Sequence, residues 1–517
     1  MARALLPASI FVVYFVLLVV LQASTGAWNA PFNAYPDEPS HFIGSVMVRD
    51  YLASGKLISP IDFARHYYEH YPYFAVGYWP PLFYLITGFW FLIAGVGRMQ
   101  ALMISALAAA GSAWLVFTLV RKRAGAAAGF CAGFMLLCLP EVQRWASAVM
   151  VDEMVLFFSL GAAALTVCWL ERPTVWNGAL CGLCCCCAIM TKYSGLYVAV
   201  VPLAALLAYR RFHLLRKPGC LIQPGVLTLG VGIWAIWTWE LAWKGLPESR
   251  EGSLLMRLAQ APGAVFHLFP AVLGVTVAAG LLGLILKRRA WGPDLTVICL
   301  LSLGAIGFIV VSPVGLDEPR YLLPVAASLI VLGFAGWASW LAPLSRQTRR
   351  RALSALGAVL AAAAATHLGD FRRPASEPIS AVVQAIAGNP AWAGKRIMVA
   401  PDFEGPLIAE FAAQAHHRPA HELLRPSKVL ARSDWFGNDY RCWFRTPGEV
   451  RDSLSRIGTA VVVWHAPRNG ERQQHARLLE EMLANNPHVW KQSASFEQEA
   501  GRRSWFIYAY EPKAPAR

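Results

Sequence analysis

Two adjacent carboxylates, Asp37 and Glu38, lie in the segment 35–42, which reads YPDEPSHF. A carboxylate can accept a proton from an attacking hydroxyl group, and carboxylate oxygens also bind hard cations. The pair follows an apolar segment that is long enough to cross a bilayer, so we expect it at the membrane surface. A structural explanation remains open, in which the acidic side chains cap a helix and complement its dipole.

Four more ionisable residues lie close to the ends of apolar segments: Asp152, Glu153, Lys192 and Arg320. Each has a structural alternative, because the acidic pair can cap the following segment, the lysine can extend to the interface, and Arg320 can pair with Asp317. Charged groups are costly at membrane depth, which makes functional use the first hypothesis. Most of these residues can be placed on the same membrane face as the first acidic pair. The pattern therefore favours a shared polar site.

The composition is that of a polytopic membrane protein. Of the 517 residues, 56% are hydrophobic and only 15% are charged, which excludes a water-soluble protein of this length. The net charge of +15 comes from Lys and Arg in short loops between apolar segments, so topology explains it better than a nucleic-acid partner does. Residues 1–28 lack a clear cleavage site, and we expect an uncleaved first crossing. The cysteine run at 184–187 favours helix packing over a disulfide or metal site.

Apolar segments of roughly 17–25 residues, the length that crosses a bilayer, recur through residues 1–368. The candidates are 5–28, 79–97, 99–120, 124–140, 154–171, 174–190, 193–209, 222–243, 263–286, 294–312, 321–341 and 352–368. The basic clusters between them all fall in the cytoplasm only if one candidate does not cross. Segment 79–97 starts with Trp79-Pro80-Pro81 and fits an interfacial helix. The sequence thus predicts about eleven crossings, with the acidic motifs and the C-terminal part on the outer side.

The C-terminal part of the chain is more polar, and its apolar residues alternate with a different periodicity. Residues 396–400, 459–464 and 505–510 have the pattern of strands, whereas 404–415 and 470–485 have helical periodicity. This alternation predicts a small α/β domain. His416, His417 and His421 could bind a metal, although an exposed polar turn is the favoured interpretation. The sequence thus predicts a transmembrane domain, 1–368, whose external loop spans 29–98, and a soluble extracytoplasmic domain, 369–517.

Five motifs in residues 1–340 carry a resemblance to a known family. They are YPDEPSHF with VRDYLASGKLISP (48–60), WPPLFY (79–84), residues 150–158, the pair Thr191-Lys192, and EPRYLLP (318–324). In these motifs the chain resembles the membrane-embedded C-type glycosyltransferases, which have the GT-C fold. It is most similar to the bacterial branch that includes the aminoarabinose transferases of lipid A and the protein O-mannosyltransferase-like enzymes.

The resemblance implies a mostly α, polytopic helical bundle of the GT-C type, with about 11–12 spans and a small extracytoplasmic α/β C-terminal domain. It also implies an activity: transfer of a sugar from a polyprenyl-phosphate donor to a hydroxyl acceptor, with inversion, at the outer face of the bacterial inner membrane. The acceptor can be a lipid, a glycan or a protein. No cofactor is certain from the sequence, and dependence on a divalent cation stays open because these carboxylates do not force a metal.

Site roles follow from the resemblance residue by residue. Asp37 is expected to act as general base, with Glu38 beside it in the catalytic group. Lys192 and Arg320 are expected to hold the donor phosphate, since they are the cations available on the outer side.

The acceptor or a cation is expected to contact Asp152, Glu153 and His41. Relatives often have Lys or His before the Pro pair, where this chain has Trp79, so another residue such as His66, His70 or Arg98 must supply any contact made there. Two other functions also fit parts of this pattern. A transporter or lipid flippase also places charges and broken helices in a membrane, although its charges usually lie at the midplane. A non-catalytic scaffold that presents the C-terminal domain is the third alternative.

Overall fold

The structure is a computed structural model that describes residues 2–55, 59–75, 77–244, 253–287, 291–312, 316, 318–373, 377–415, 421–433, 439–465, 472–497 and 504–511. Contacts within the chain divide it into two units. The first unit comprises Met1–Ala27, Gly77–Phe83 and Leu102–Arg372. The second unit comprises Trp28–Val76, Tyr84–Ala101 and Arg373–Arg517. The loop that follows the first apolar helix therefore belongs to the same unit as the C-terminal part.

The described residues are mainly helical. In chain order the helices are α1 Ala2–Ser24, α2 Glu38–Ser54, α3 Pro60–His70, α4 Leu82–Ala94, α5 Arg98–Ala124, α6 Ala126–Cys138, α7 Pro140–Ala146, α8 Asp152–Glu171, α9 Val175–Thr191, α10 Val200–Ala208, α11 Pro218–Leu227, α12 Ile233–Lys244, α13 Leu254–Phe266, α14 Ala271–Leu286, α15 Pro293–Val311, α16 Leu323–Trp340, α17 Arg346–Ala365, α18 Ile379–Ala387, α19 Glu404–Gln414, α20 Pro426–Val429, α21 Pro447–Ile457 and α22 Gln474–Asn485. The strands are β1 Arg396–Met398, β2 Glu422–Leu424, β3 Ala431–Arg432, β4 Arg441–Cys442, β5 Thr459–His465, β6 Trp490–Glu497 and β7 Ser504–Tyr510.

Each apolar segment predicted from the sequence corresponds to a helix or to a broken pair of helices. Among the described residues, six helical segments are long and apolar enough to cross a membrane: Pro7–Ser24, Arg98–Ala124, Asp152–Glu171, Pro218–Thr238, Pro293–Val311 and Pro319–Trp340. Two bent pairs, α6 with α7 and α13 with α14, raise that number to as many as eight. Shorter apolar helices occur at Leu82–Ala94, Val175–Thr191 and Tyr193–Ala208.

Segment 263–286 differs from the continuous span that its hydropathy suggests. The chain bends by 114° between α13 and α14, where Pro270 caps the second helix. Proline cannot donate the backbone hydrogen bond that a continuous helix needs, so the break falls where the sequence places it. Helix α4 has only 13 residues, which span about 20 Å at 1.5 Å per residue and fall short of a hydrocarbon core of about 30 Å.

Close helix packing in the first unit depends on glycine. Helices α14 and α16 contact each other through Gly280 and Gly336, where a Cβ added to Gly336 would lie 1.7 Å from the carbonyl oxygen of Gly280. No side chain fits at that distance. Small residues let helix backbones approach in membranes, where packing replaces the hydrophobic effect as the force that joins helices.

The second unit contains a five-stranded mixed sheet of order β2-β1-β5-β7-β6. Strand β1 is parallel to β2 and β5, and β7 is antiparallel to β5 and β6. The central strand β5 reads TAVVVWH and is almost wholly buried, as expected for a strand covered on both faces. The edge strand β6 reads WKQSASFE and is mostly exposed or half-buried. The pattern of each strand thus fits its place in the sheet.

Helices α21 and α22 cover the sheet. Thr446 and Glu449 form a capping box at the start of α21, and Gly458 ends the helix with a left-handed backbone. The core beneath contains Leu454, Leu479 and other buried apolar residues, namely Met398, Leu430, Val450, Val462, Trp464, Leu478, Met482, Leu483 and Trp490. The three predicted strands and both predicted helices are present. Residues 470–471 of the second predicted helix lie outside the described residues.

Candidate functional site

The acidic pair of YPDEPSHF lies at the start of α2, in the second unit. Asp37 is the N-cap residue and is 8% exposed, yet its side chain does not make the hydrogen bond of a helix cap. The capping explanation that the sequence left open is therefore not realised by this carboxylate. Burial raises the pKa of the nearby Tyr73 phenol, and the charges of Glu404 and Asp37 contribute to that increase against the opposing effect of Arg425.

Glu38 is fully buried and binds on two sides. One carboxylate oxygen, Oε1, lies 2.7 Å from Nη2 of Arg98, and the other accepts a hydrogen bond of 2.9 Å from the backbone N–H of Ala34. The guanidinium group of Arg98 also lies over the ring of Phe32, at 5.0 Å from its centroid. Glu38 thereby joins the loop before α2 to the start of α5. A buried, hydrogen-bonded ion pair of this kind fixes geometry more than it adds stability.

His41, one turn further along α2, is also buried. Its Nδ1 lies 3.0 Å from the hydroxyl group of Tyr84 on α4. The two helices approach closely here, because a Cβ added to Gly88 would lie 2.9 Å from the carbonyl oxygen of Ser45. Helices α2 and α4 are thus linked through a His–Tyr contact.

Three of the predicted site residues meet in the first unit. Lys192 donates to Asp152, with 2.8 Å between Nζ and Oδ1, and the two side chains are only 4% and 3% exposed. Arg320 Nη1 lies 4.0 Å from the other oxygen of Asp152, and its Nε lies 3.2 Å from Glu318. We call Asp152, Lys192 and Arg320 the cation cluster. It places two buried cations on one buried carboxylate.

Aromatic rings cover both cations. The ammonium group of Lys192 lies 4.2 Å from the centroid of Tyr321, and the guanidinium group of Arg320 lies 5.2 Å from the same ring and 5.3 Å from Trp145. Cation–π contacts stabilise positive charge where water is scarce. The rings therefore support two like charges in a small, largely dry space.

Each residue of the cation cluster lies at the start or the end of a helix. Asp152 is the first residue of α8. Lys192 has an extended backbone between α9 and a 3-10 turn, Tyr193–Ala199, which breaks the helix at this residue. Arg320 lies in another 3-10 turn, Pro319–Leu322, directly before α16. The ends of helices have backbone N–H and C=O groups without intrahelical partners, and such positions suit charged side chains. The three charged residues of the cation cluster thus lie at the ends of three helices.

Glu153 is buried next to Asp152 in the chain, but it lacks the ion pair that Asp152 makes with Lys192. Neither carboxylate oxygen of Glu153 has a hydrogen-bond partner among the residues that the structure describes. A buried polar group without a partner is costly and requires an explanation.

Sequence reasoning missed several residues of these clusters. Trp145 and Tyr321 were not selected, because an aromatic residue in a chain with 20 Trp carries no signal of its own. Arg98 was considered only as a substitute contact, and it pairs with Glu38. The two histidines considered with it have other contacts: His66 lies 3.0 Å from Glu69 on the surface, and Nδ1 of His70 lies 3.0 Å from a backbone carbonyl.

The histidines of the C-terminal part do not form a described metal site. His421 is buried, not exposed as expected, and burial lowers the pKa of its imidazole. His416 and His417 lie outside the described residues. Within the described ranges, no group of three or more His, Cys, Asp or Glu side chains could hold a metal ion.

Known proteins resemble this chain in family signature and in fold. Residues 79–239 match the family model for dolichyl-phosphate-mannose-protein mannosyltransferases. Among solved structures, the chain is similar to ArnT from Cupriavidus metallidurans bound to undecaprenyl phosphate, with 17% identity, a TM-score of 0.63, and coverage of 96% of this chain and 97% of that one. A search of curated proteins finds no match.

The archaeal oligosaccharyltransferase AglB of Archaeoglobus fulgidus, in complex with an inhibitory peptide and a dolichol-phosphate, is similar over 99% of this chain and 75% of that chain. The identity is 12% and the TM-score 0.54. The resemblance to C-type membrane glycosyltransferases is thereby confirmed, and so is the fold class: a mostly helical GT-C-like membrane protein with a small C-terminal α/β region.

Proposed function

We propose that this chain is an integral-membrane glycosyltransferase that moves a sugar from a polyprenyl-phosphate donor to a hydroxyl acceptor. The transfer takes place on the extracytoplasmic side of a bacterial inner membrane and inverts the anomeric centre. The observation that carries the proposal is the cation cluster, in which Lys192 and Arg320 share one carboxylate in a GT-C fold. The similarity to ArnT, which was solved with undecaprenyl phosphate, supports a polyprenyl-phosphate donor.

The charge of the cation cluster suits a phosphate. Two cations against Asp152 leave the cation cluster with one positive charge, and Glu318, which is half-buried, contacts only Arg320. A donor phosphate that contacts Lys192 and Arg320 would provide negative charge and hydrogen-bond acceptors in place of some of those that Asp152 provides. Arginine can also bind two phosphate oxygens at once. We assign Asp152 the role of counter-ion, which keeps both cations in place before the donor binds. The same cations then stabilise the departing polyprenyl phosphate.

The general base is assigned to Asp37. Inversion by a single displacement requires a base that takes the proton of the attacking hydroxyl group. Asp37 is buried at the start of α2, and the resemblance of YPDEPSHF to the first external loop of C-type glycosyltransferases supports this role. Glu38, bound to Arg98, positions the loop that carries the base. We assign His41 a contact with the acceptor. Glu153, whose carboxylate has no hydrogen-bond partner among the described residues, is assigned a contact with the acceptor or with a divalent cation.

Donor titration tests the phosphate assignment. Quenching of Trp fluorescence by a polyprenyl-phosphate sugar should give a Kd about ten- to a hundredfold higher for Lys192→Met and for Arg320→Met, because each loses a charge-assisted contact worth roughly 1.5–3 kcal/mol. Lys192→Arg, which keeps the charge, should bind more tightly than Lys192→Met.

Exposed basic residues in a different loop serve as matched controls. Arg216→Met and Lys217→Met remove the same charges and should bind donor like wild type. If both cluster variants bind the donor with wild-type affinity, the donor phosphate does not bind at the cation cluster.

A further inference from the structure

A second positively charged region of the first unit lies far from the acidic motifs in sequence. A cavity of 560 Å³ lies among the ends of α5, α14, α16 and α17. Its cationic lining consists of Lys122, Arg123, Lys287, Arg346, Arg349 and Arg350. The rest of the lining consists of small residues: Ala335, Ala338, Ser339 and Ala342. By the distribution of basic loops, this is the membrane face predicted to be cytoplasmic.

The charges of this cavity are poorly balanced. Arg123 pairs with Asp294, at 3.1 Å for Nε–Oδ2 and 2.8 Å for Nη2–Oδ1. No acidic side chain lies among the described lining residues, so five lining cations stand beyond that pair. In addition, Nε of Arg349 is buried and has no hydrogen-bond partner in the described part of the chain. Several like charges around one cavity repel each other, and an anion within it would relieve that repulsion.

Topology alone does not account for this geometry. The positive-inside tendency predicts basic residues at the cytoplasmic ends of helices, but not their convergence from the ends of α5, α14 and α17 onto one cavity. Two of the side chains are also held in place. The ammonium group of Lys287 lies 5.6 Å from the ring centroid of Trp340, and the stem of Arg350 passes over Gly125, where the chain turns between α5 and α6.

The surroundings indicate a lipid. Ile285 and Leu286, directly before Lys287, are 61% and 62% exposed, and Val359 on α17 is 65% exposed. These apolar side chains offer a surface for acyl chains next to the basic cavity. Clusters of Lys and Arg between membrane helices on the cytoplasmic side suit phosphate-bearing lipid headgroups.

We propose that this cavity binds the phosphodiester headgroup of an anionic membrane phospholipid, with the acyl chains along α14 and α17. Arg346 and Arg350 contact the phosphate oxygens, since guanidinium groups can donate two hydrogen bonds to one phosphate. Lys287 contributes charge at the membrane boundary. This site is independent of the sugar-transfer chemistry proposed above.

Native mass spectrometry of the delipidated full-length protein in mild detergent tests the proposal. The probes are phosphatidylglycerol, phosphatidylcholine and sodium pyrophosphate. Wild type should retain one phosphatidylglycerol at least about tenfold more tightly than phosphatidylcholine. The double variant Arg346→Gln/Arg350→Gln should weaken that binding by about thirtyfold, because each cation near a lipid surface contributes a few-fold or more. Lys287→Gln should weaken it by a smaller factor.

The control variant is Arg216→Gln/Lys217→Gln, which removes the same net charge from another loop and should retain phosphatidylglycerol like wild type. Three outcomes would overturn the proposal. They are equal affinity for the two phospholipids, unchanged binding in the Arg346/Arg350 variant, and displacement of the lipid by equimolar pyrophosphate, which would identify a soluble phosphate compound as the ligand. Donor binding, measured separately, should not change in the Arg346/Arg350 variant.

Discussion

The contact between Lys192 and Asp152 predicts a large energetic coupling. Their side chains are 4% and 3% exposed and lie 2.8 Å apart. Because water has little access to either group, each side chain is the main compensation for the charge of the other. Asp152→Asn leaves Lys192 and Arg320 in a buried space without their shared carboxylate. Removing one partner of a buried ion pair costs about 3–5 kcal/mol, mostly because the remaining charge is uncompensated.

The second substitution should then restore stability. Lys192→Met in the Asp152→Asn background removes one of the uncompensated cations and replaces it with a side chain that suits an apolar site. The double variant should therefore be at least about 2 kcal/mol more stable than the sum of the two single effects. Arg320 at 4.0 Å is the more distant partner of Asp152, so Arg320→Met should show a smaller coupling with Asp152→Asn.

The assay is a double-mutant cycle on the free energy of unfolding, measured by denaturant titration of the protein in mild detergent micelles. The matched control is Arg451 with Asp452, which also lie 2.8 Å apart but are 48% and 60% exposed. Water screens that pair, and its coupling should stay below about 1 kcal/mol. Additive effects at Asp152 and Lys192, or equal couplings in the two cycles, would refute the assignment of a buried, energetically important cluster.

Two further predictions concern topology and pH. Reporter fusions or introduced cysteines at Ala75 and Arg98 should report the same outer side and one at Lys122 the cytoplasm, and opposite sides for the first two would mean that α4 crosses. Burial lowers the pKa of His475 and of His421 below the ordinary value near 6.5, so both favour folding above that pH, and stability should fall as the pH drops from about 6.5 through the lowered values. Thermal unfolding of His475→Asn should depend less on pH, and an unchanged slope would contradict the argument.

The sequence predicted the helices of the first unit better than its bends. Every predicted apolar segment coincides with helix, because long apolar runs leave few alternatives in a membrane. The bend between α13 and α14 was missed, since hydropathy stays high across it and only Pro270 marks it. In the second unit, strand β6 was missed because an edge strand carries polar residues and lacks a buried pattern.

The candidate site was predictable as a set of residue types but not as contacts. Sequence reasoning selected Asp152, Lys192 and Arg320, which the structure brings together, yet their pairing depends on three helix ends far apart in the chain. Arg98 illustrates the limit, because nothing local indicates that it binds Glu38, 60 positions earlier. Long-range ion pairs follow from tertiary packing, which a periodic pattern does not encode.

The most direct test of the central claim is sugar transfer itself. Purified protein in phospholipid nanodiscs is incubated with a panel of radiolabelled polyprenyl-phosphate sugars and hydroxyl-bearing cell-envelope acceptors. At least one donor should transfer its labelled sugar to an acceptor with inversion of the anomeric centre and release polyprenyl phosphate. Asp37→Asn should reduce that turnover by about 10²–10⁴-fold at unchanged donor affinity. Intact donors throughout the panel, or transfer by Asp37→Asn within a few-fold of wild type, would contradict the central claim.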